Sequence, residues 1–360
     1  MIKFLVYVAI ILTVLAIGYL VRVFELASAL KGKKQEEVTD GDNRFMSKVM
    51  LTYLVVFFSF VIWVLWEFGP KLLPESASEH GIFLDKLFDF NMAIIWIVFV
   101  LTHTLLFYFS YKYYGRKNNT ATYLPHNNTL EMIWTVIPAI VLAIIVIYGI
   151  KSWNKITADA DPKTTIIEIY AKQFDWTARY AGKDNVLGAS NYKLITSTND
   201  LGMDTTSKEG FDDIIVKNEF HIPVNKEVEF KFRSRDVIHS AYFPHFRAQM
   251  NCVPGMTTMF HFTPIITTAE MRKKPKVVEL MRGINQIRAD RGDKPEEFNY
   301  ILLCNKICGK SHFNMQMTIV VDTQEDYEKW LATKKPFLSK ALIGSETPVI
   351  KTKEQLTEKK

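Results

Sequence analysis

Twelve residues near the C-terminal end carry most of the chemistry that this sequence can do. They read Cys304-Asn305-Lys306-Ile307-Cys308-Gly309-Lys310-Ser311-His312-Phe313-Asn314-Met315, a C-x3-C-x3-H-x2-M spacing. Thiolate, imidazole and thioether together form the soft donor set that copper prefers. The chain holds only three cysteines, and two of them are here.

A mononuclear blue-copper site uses one Cys, two His and a weak axial Met. A second Cys four positions from the first lets two sulfurs face one point and bridge two metal ions. One His, one Met, a second His and a carbonyl oxygen would then complete the set. The second His must come from elsewhere, and the candidates are His221, His239, His245 and His261. His239 follows the expected strand Glu227–Arg233, so it can meet a loop at the same end of a sandwich; the others read as ordinary strand or surface histidines. Two other readings compete. The cysteines can form a disulfide if they face an oxidising compartment. They can also be half of a zinc site, although zinc sites commonly lack Met. The full spacing with Met315 favours copper.

These residues need positioning elements. Four apolar segments, Ile2–Val21, Met46–Trp66, Met92–Tyr111 and Met132–Ile150, have about the length that crosses a bilayer. Trp63, Trp66, Tyr111, Tyr113, Tyr114, Trp134 and Trp153 mark their ends as interfacial aromatics do. Lys31, Lys33, Lys34 and Arg44 follow the first segment, and Lys112, Arg116 and Lys117 follow the third. The positive-inside rule puts those two loops in the cytoplasm, and both termini with everything after Trp153 outside. Lys3, an apolar run and Ala27-Ser28-Ala29 also resemble a cleaved signal peptide, but the run is long and Arg22 and Glu25 interrupt it before the box. A retained helix is the preferred expectation. His103, inside the third segment, reads as a neutral histidine at a helix contact.

From Thr164 onward the pattern alternates. Thr164–Ala171, Glu227–Arg233, Thr257–Thr263, Asn299–Leu303 and Met315–Val321 read as strands. Short strands punctuated by Pro and Gly predict a β-sandwich or barrel. Asp326–Thr333 reads as a short helix, and Gly344–Lys360 as a polar, disordered tail. Asp184–Asp213 and Glu270–Glu297 read as solvated insertions. The net charge of +6 does not identify a nucleic-acid binder, because the aromatics sit mostly in the membrane half rather than among the basic residues. No C-x-x-C-H attaches a haem to this chain.

Three motifs in order, Leu130-Glu131-Met132-Ile133-Trp134-Thr135-Val136-Ile137-Pro138, Asp236-Val237-Ile238-His239-Ser240 and the twelve-residue loop, resemble subunit 2 of cytochrome c oxidase. The resemblance covers roughly residues 90–330. It implies an α+β membrane protein: four transmembrane helices followed by a cupredoxin-like Greek-key β-sandwich. The implied layout is two extra transmembrane helices over residues 1–88, the subunit-2-type hairpin over 89–153, an extracytoplasmic copper domain over 154–335 and a polar tail over 336–360. Cys304 and Cys308 would bridge two copper ions in a binuclear CuA centre, one completed by His239 and Met315, the other by His312 and the backbone carbonyl of Lys306. Electrons from a cytochrome c-type donor would pass through this centre to haem in subunit 1, where oxygen is reduced to water and protons are pumped. Implied partners are subunit 1, other oxidase subunits and a cytochrome c or cytochrome c-domain donor, the latter held in a supercomplex. The implied location is the bacterial inner membrane with the copper domain on the periplasmic side. Glu131 would stand near the cytoplasmic mouth of a proton path; the plainer reading is a first-turn carboxylate favoured by the helix dipole.

Three departures matter. The family's Glu between the cysteines is Lys306 here, and Gln249 and Asn251 occur in the segment leading to Pro254-Gly255. An ammonium cannot ligate the Mg or Mn ion that the family's Glu holds, so that ion is doubtful, and Lys306 is expected to replace its charge. The family's aromatic electron inlet, G-H-Q-W-Y-W, is Ala171-Lys172-Gln173-Phe174-Asp175-Trp176. Phe174 takes the inlet position and Trp176 a structural one. From Lys151 onward, 32 Lys and Arg face 27 Asp and Glu, a balance that suits a less basic donor than an acidic docking face would take. The alternative is a copper-carrying or copper-sensing membrane protein without an oxidase partner, against which the Leu130-Glu131 and Trp134-Thr135 motif argues; a subunit 2 of a quinol oxidase that has lost copper is opposed by the intact ligand set.

Overall fold

Long uninterrupted apolar runs cannot be solvated, and in lipid only a helix satisfies every backbone group within one segment. The computed structural model, which describes residues 2–30 and 38–337, accordingly has four long helices: α1 Ile2–Leu30, α2 Asp40–Phe68, α3 Glu79–Lys112 and α4 Asn128–Thr157. All four are long and apolar enough to cross a membrane. Each extends beyond its apolar segment into polar flanks. α1 runs through Ala27-Ser28-Ala29 without a break. The expectations resting on the Lys3 side chain, on Lys31, Lys33 and Lys34, and on the tail from Gly344 fall outside the described residues.

The chain divides into two compact units, one of residues 1–72 and 92–133, the other of residues 73–91 and 134–360. In the first unit, Thr39 caps α2 and its side chain exchanges hydrogen bonds with Asp42 in a capping box. Asn43 Nδ2 donates to the Gly115 carbonyl at 3.2 Å, and Lys117 N donates to Asp40 Oδ1 at 3.0 Å. The start of α2 and the loop after α3 therefore share one side, as the charge pattern requires. His103 lies 5.6 Å from the Phe57 ring and 4.2 Å from the Phe99 ring, and its Nδ1 bonds the Phe99 carbonyl of its own helix. It is a helix-contact histidine.

In the second unit ten strands form two five-stranded sheets. The first sheet has the order β3 (Ile214–Lys217), β2 (Asp175–Tyr180), β1 (Thr165–Lys172), β5 (Val228–Ser234), β8 (Thr258–Phe262). The second has the order β4 (Glu219–Pro223), β10 (Gln316–Asp322), β9 (Tyr300–Cys304), β6 (His239–Phe243), β7 (Ala248–Cys252). β1 runs parallel to β5 and β4 parallel to β10, and the remaining pairs are antiparallel. This is a Greek-key sandwich of cupredoxin type. Inward residues of both sheets build one core, in which Phe220, Phe230, Phe243, Phe246, Phe260 and Phe262 are buried.

The five strands read from the sequence lie within a residue or two of β1, β5, β8, β9 and β10. Five strands are not legible in this way: β2 and β6 are buried on both faces, β3 has only four residues, and for β4 and β7 neither reason holds, since their burial alternates. Helices α5 (Thr268–Met271) and α6 (Pro275–Asp290) fill the charged insertion, and α7 (Gln324–Ala332) packs after β10. The insertion at 184–213 is not wholly solvated. Leu201 and Met203 pack on Tyr170, and Asp213 is buried beside Arg179, itself 1% exposed, and Glu168.

Candidate metal centre

β9 ends at Cys304 and β10 begins just after Met315, so strand pairing closes the loop at its base. Cys304 N donates to the Met315 carbonyl at 3.0 Å. The antiparallel register pairs Ala241 of β6 with Cys304. Residue 239, two positions before Ala241 on the same face, then lies beside the loop immediately past Cys304. His239 is thus the first residue of a strand of its own, rather than a residue of the turn after β5.

Six donor atoms converge. Cys304 Sγ and Cys308 Sγ are 3.9 Å apart and not bonded as a disulfide. His239 Nδ1 is 3.7 Å from Cys304 Sγ, and His312 Nδ1 is 3.7 Å from Cys308 Sγ. Met315 Sδ is 3.8 Å from Cys308 Sγ, and the Lys306 carbonyl is 3.2 Å from Cys304 Sγ. Among the described residues, His239, Cys304 and Cys308 are the only three His, Cys, Asp or Glu whose donor atoms all lie within 4.8 Å of one another. Atoms that share a metal with bonds of about 2.0–2.3 Å stand at such separations. Burial and the neighbouring Cys304 thiol push the Cys308 thiol up to about 11, so two thiolates this close require a cation between them. The residues fit copper.

Neighbouring groups hold these donors. Asp236 Oδ1 accepts from His239 Nε2 at 2.9 Å, which fixes the ring and leaves Nδ1 for the metal. Burial raises the Asp236 carboxyl, but hydrogen bonds from Gln173 N, His239 and Val237 N outweigh it and leave the group below its ordinary value. Gln173 N donates to Asp236 Oδ2 at 2.7 Å, and Gln173 Nε2 donates to the Cys308 carbonyl. The two-residue turn between β1 and β2 therefore touches both ends of the site. Trp176 is buried; its Nε1 donates to the Met315 carbonyl at 3.3 Å and its ring centroid is 6.1 Å from that of His239. The half-buried Phe174 lies on the loop: a Cβ at Gly309, where φ is +146°, would stand 2.8 Å from its ring.

The Lys306 side chain is exposed and makes no ion pair among the described residues, while Asn305 bonds Gln249 and Gln249 bonds Ser240. Cys252 is fully buried opposite His239, and burial pushes its thiol up to about 12. Glu131 lies outside this region, in the first turn of α4, where its Oε1 accepts from Asn127 N at 3.4 Å. His221 pairs with Asp322 and stacks on Trp330 at 4.0 Å, and His245 packs against Phe298 and Tyr300. Gln173 and the orienting role of Asp236 were not expected from the sequence; the signal available was Asp236 standing three residues before His239.

A family model described as cytochrome C oxidase subunit II, transmembrane domain, matches residues 66–151. The chain is 29% identical over 272 residues to the alternative cytochrome c oxidase subunit 2 of Bradyrhizobium diazoefficiens, covering 75% of this chain and 86% of that protein. It is 28% identical over 329 residues to the cytochrome c oxidase subunit 2 of Thermostichus vulcanus, covering 82% and 88%. Among solved structures, the periplasmic domain of subunit II of cytochrome oxidase from Bradyrhizobium japonicum is similar with a TM-score of 0.30 and 20% identity, over 49% of this chain and 95% of that one. With residues 66–151 matched by that model and these relatives aligned over three quarters of its length or more, the chain is similar to cytochrome c oxidase subunit 2 proteins through most of its sequence.

Proposed function

We propose that this chain is the electron inlet of a membrane-bound haem-copper oxidase, with a binuclear copper centre in the loop between β9 and β10. The observation that carries the reading is the convergence of two thiols, two imidazole nitrogens, a thioether and a carbonyl oxygen on one small volume. Cys304 and Cys308 would bridge; His239 and Met315 would complete one position, His312 and the Lys306 carbonyl the other. Copper held so supplies one-electron transfer with little change in ligand geometry. The protein's own part is to fix the donors: strand pairing holds Cys304 and Met315, Asp236 holds His239, and Gln173 ties the inlet turn to Cys308.

Residues 1–88 would supply two additional helices, 89–153 the hairpin that meets subunit 1, and 154–335 the copper domain on the periplasmic side of a bacterial inner membrane. Electrons would come from a cytochrome c or a cytochrome c domain held in a supercomplex, enter beside Phe174 and Trp176, and leave to haem in subunit 1, where oxygen reduction drives proton pumping. Glu131 would feed protons at the cytoplasmic end. The exposed Lys306 ammonium would stand where a divalent ion cannot be held, so no Mg or Mn is expected there.

Copper analysis and EPR on the purified full chain test this. Two coppers per chain, with one unpaired electron coupled equally to two copper nuclei, are expected. A hyperfine pattern from a single copper nucleus would overturn the binuclear reading. Co-purification of a haem-containing membrane subunit separates the oxidase from a stand-alone copper carrier.

A further inference from the structure

Two histidines that the copper loop does not use share a second site. His80, in the first turn of α3, and His261, in β8, line one cavity of about 40 Å³ together with Glu79, Glu227 and Lys155. A space that size admits a single ion or a water or two. His261 Nε2 is buried without a hydrogen-bond partner; of the two buried His80 nitrogens, one leans on the Arg247 backbone and the other has no partner. A buried polar atom without a partner costs about 1–3 kcal/mol, so one such nitrogen from each of the two rings lining a single cavity marks a place shaped for a guest.

The tautomer identifies what kind of guest. His261 Nδ1 stands 2.7 Å from Glu227 Oε1, and Glu227 Oε2 accepts from Thr164 Oγ1 at 3.1 Å. The ring proton therefore sits on Nδ1, which leaves a lone pair on Nε2. A carboxylate that orients an imidazole in this way is the usual outer partner of a metal-binding histidine. The His80 ring is held by Phe260 and Phe262, with centroids at 5.7 and 6.0 Å.

We propose that His80 and His261 bind one divalent transition-metal ion of the zinc class, at a site separate from the cysteine loop. The two imidazoles are the fixed donors. Glu79 is exposed at the start of α3 and supplies a third by side-chain rotation, with water completing the set. Lys155 opposes the charge, but it is exposed and its ammonium can turn outward.

The test uses the full chain in detergent, loaded with copper until its visible spectrum stops changing and then dialysed against Zn²⁺. One further equivalent of zinc per chain is expected. Replacing both histidines (His80→Gln with His261→Gln) should abolish that equivalent while the copper spectrum stays unchanged. Glu227→Gln keeps both donors and should weaken zinc binding about 10–100-fold. Absence of zinc uptake by the unaltered copper-loaded chain overturns the proposal, whatever the variants do. Full zinc uptake by the double variant overturns it equally.

Discussion

Single residues decide the quality of the metal centre. Asp236 sets which His239 nitrogen is available, because its carboxylate takes the Nε2 proton. Asp236→Asn keeps the shape but weakens that acceptor. Copper affinity should fall about 10–100-fold, with an altered EPR hyperfine pattern, measured by competition with a chelator. Unchanged affinity and spectrum would remove Asp236 from the site. Gly309 is a second such residue. Its φ of +146° and the 2.8 Å approach of Phe174 leave no room for a Cβ. Gly309→Ala should lower stability by roughly 1–3 kcal/mol in urea unfolding, and a trimmed partner, Phe174→Ala in the same chain, should restore part of it. At this scale much was legible. Cys304, Cys308, His312 and Met315 lie within twelve residues, so spacing alone exposes them. His239 needed the Asp236-Val237-Ile238-His239-Ser240 motif. Gln173 was hidden, since its link to Cys308 spans 135 positions and leaves no local pattern.

At the scale of elements, alternation exposed five strands and failed on those buried along both faces, β2 and β6. β6 reads His239-Ser240-Ala241-Tyr242-Phe243 and is buried at four of five positions, so it lacks the polar–apolar rhythm that a half-solvated strand shows. The insertion before β3 was misjudged for a similar reason: its polar composition conceals a buried charge cluster. Burial outweighs the Arg179 cation and raises the Asp213 carboxyl from 3.8 to about 6. Below pH of about 4 both folded and unfolded chains carry the proton. As pH rises through that window the unfolded chain releases it first, so stability falls, by at most roughly 3 kcal/mol, and the loss is complete above about 6. Asp213→Asn should lack this slope, so the wild-type minus variant difference in urea stability should fall between pH 4 and pH 7 by up to that amount. Equal slopes would show that the carboxyl titrates normally.

For the whole molecule, an ion held by the donors from β6, β9 and the loop before β10 would also be a staple across the second sheet. Copper bound only by the folded state stabilises it by about 2.7 kcal/mol at a hundredfold excess over the dissociation constant. Thermal unfolding of the sandwich should therefore shift upward on copper loading, and Cys308→Ser should lose most of that shift. A shift retained by the variant would mean that copper acts elsewhere. The covalent order of the chain carries a different consequence. Ala77, from the segment between α2 and α3, is fully buried in the sandwich core. Its N–H donates to the His245 carbonyl, its carbonyl accepts from Ile265, and Ser78 Oγ donates to the Phe246 carbonyl. Arg247 forks onto Asp85 of α3 and reaches the Pro74 carbonyl. During synthesis residues 73–91 leave the ribosome long before the strands that receive them. The sandwich core is thus completed by a segment that precedes its first strand by about ninety positions, and a fragment that begins at Thr164 would lack it, leaving the place of Ala77 empty and the Arg247 fork without Asp85.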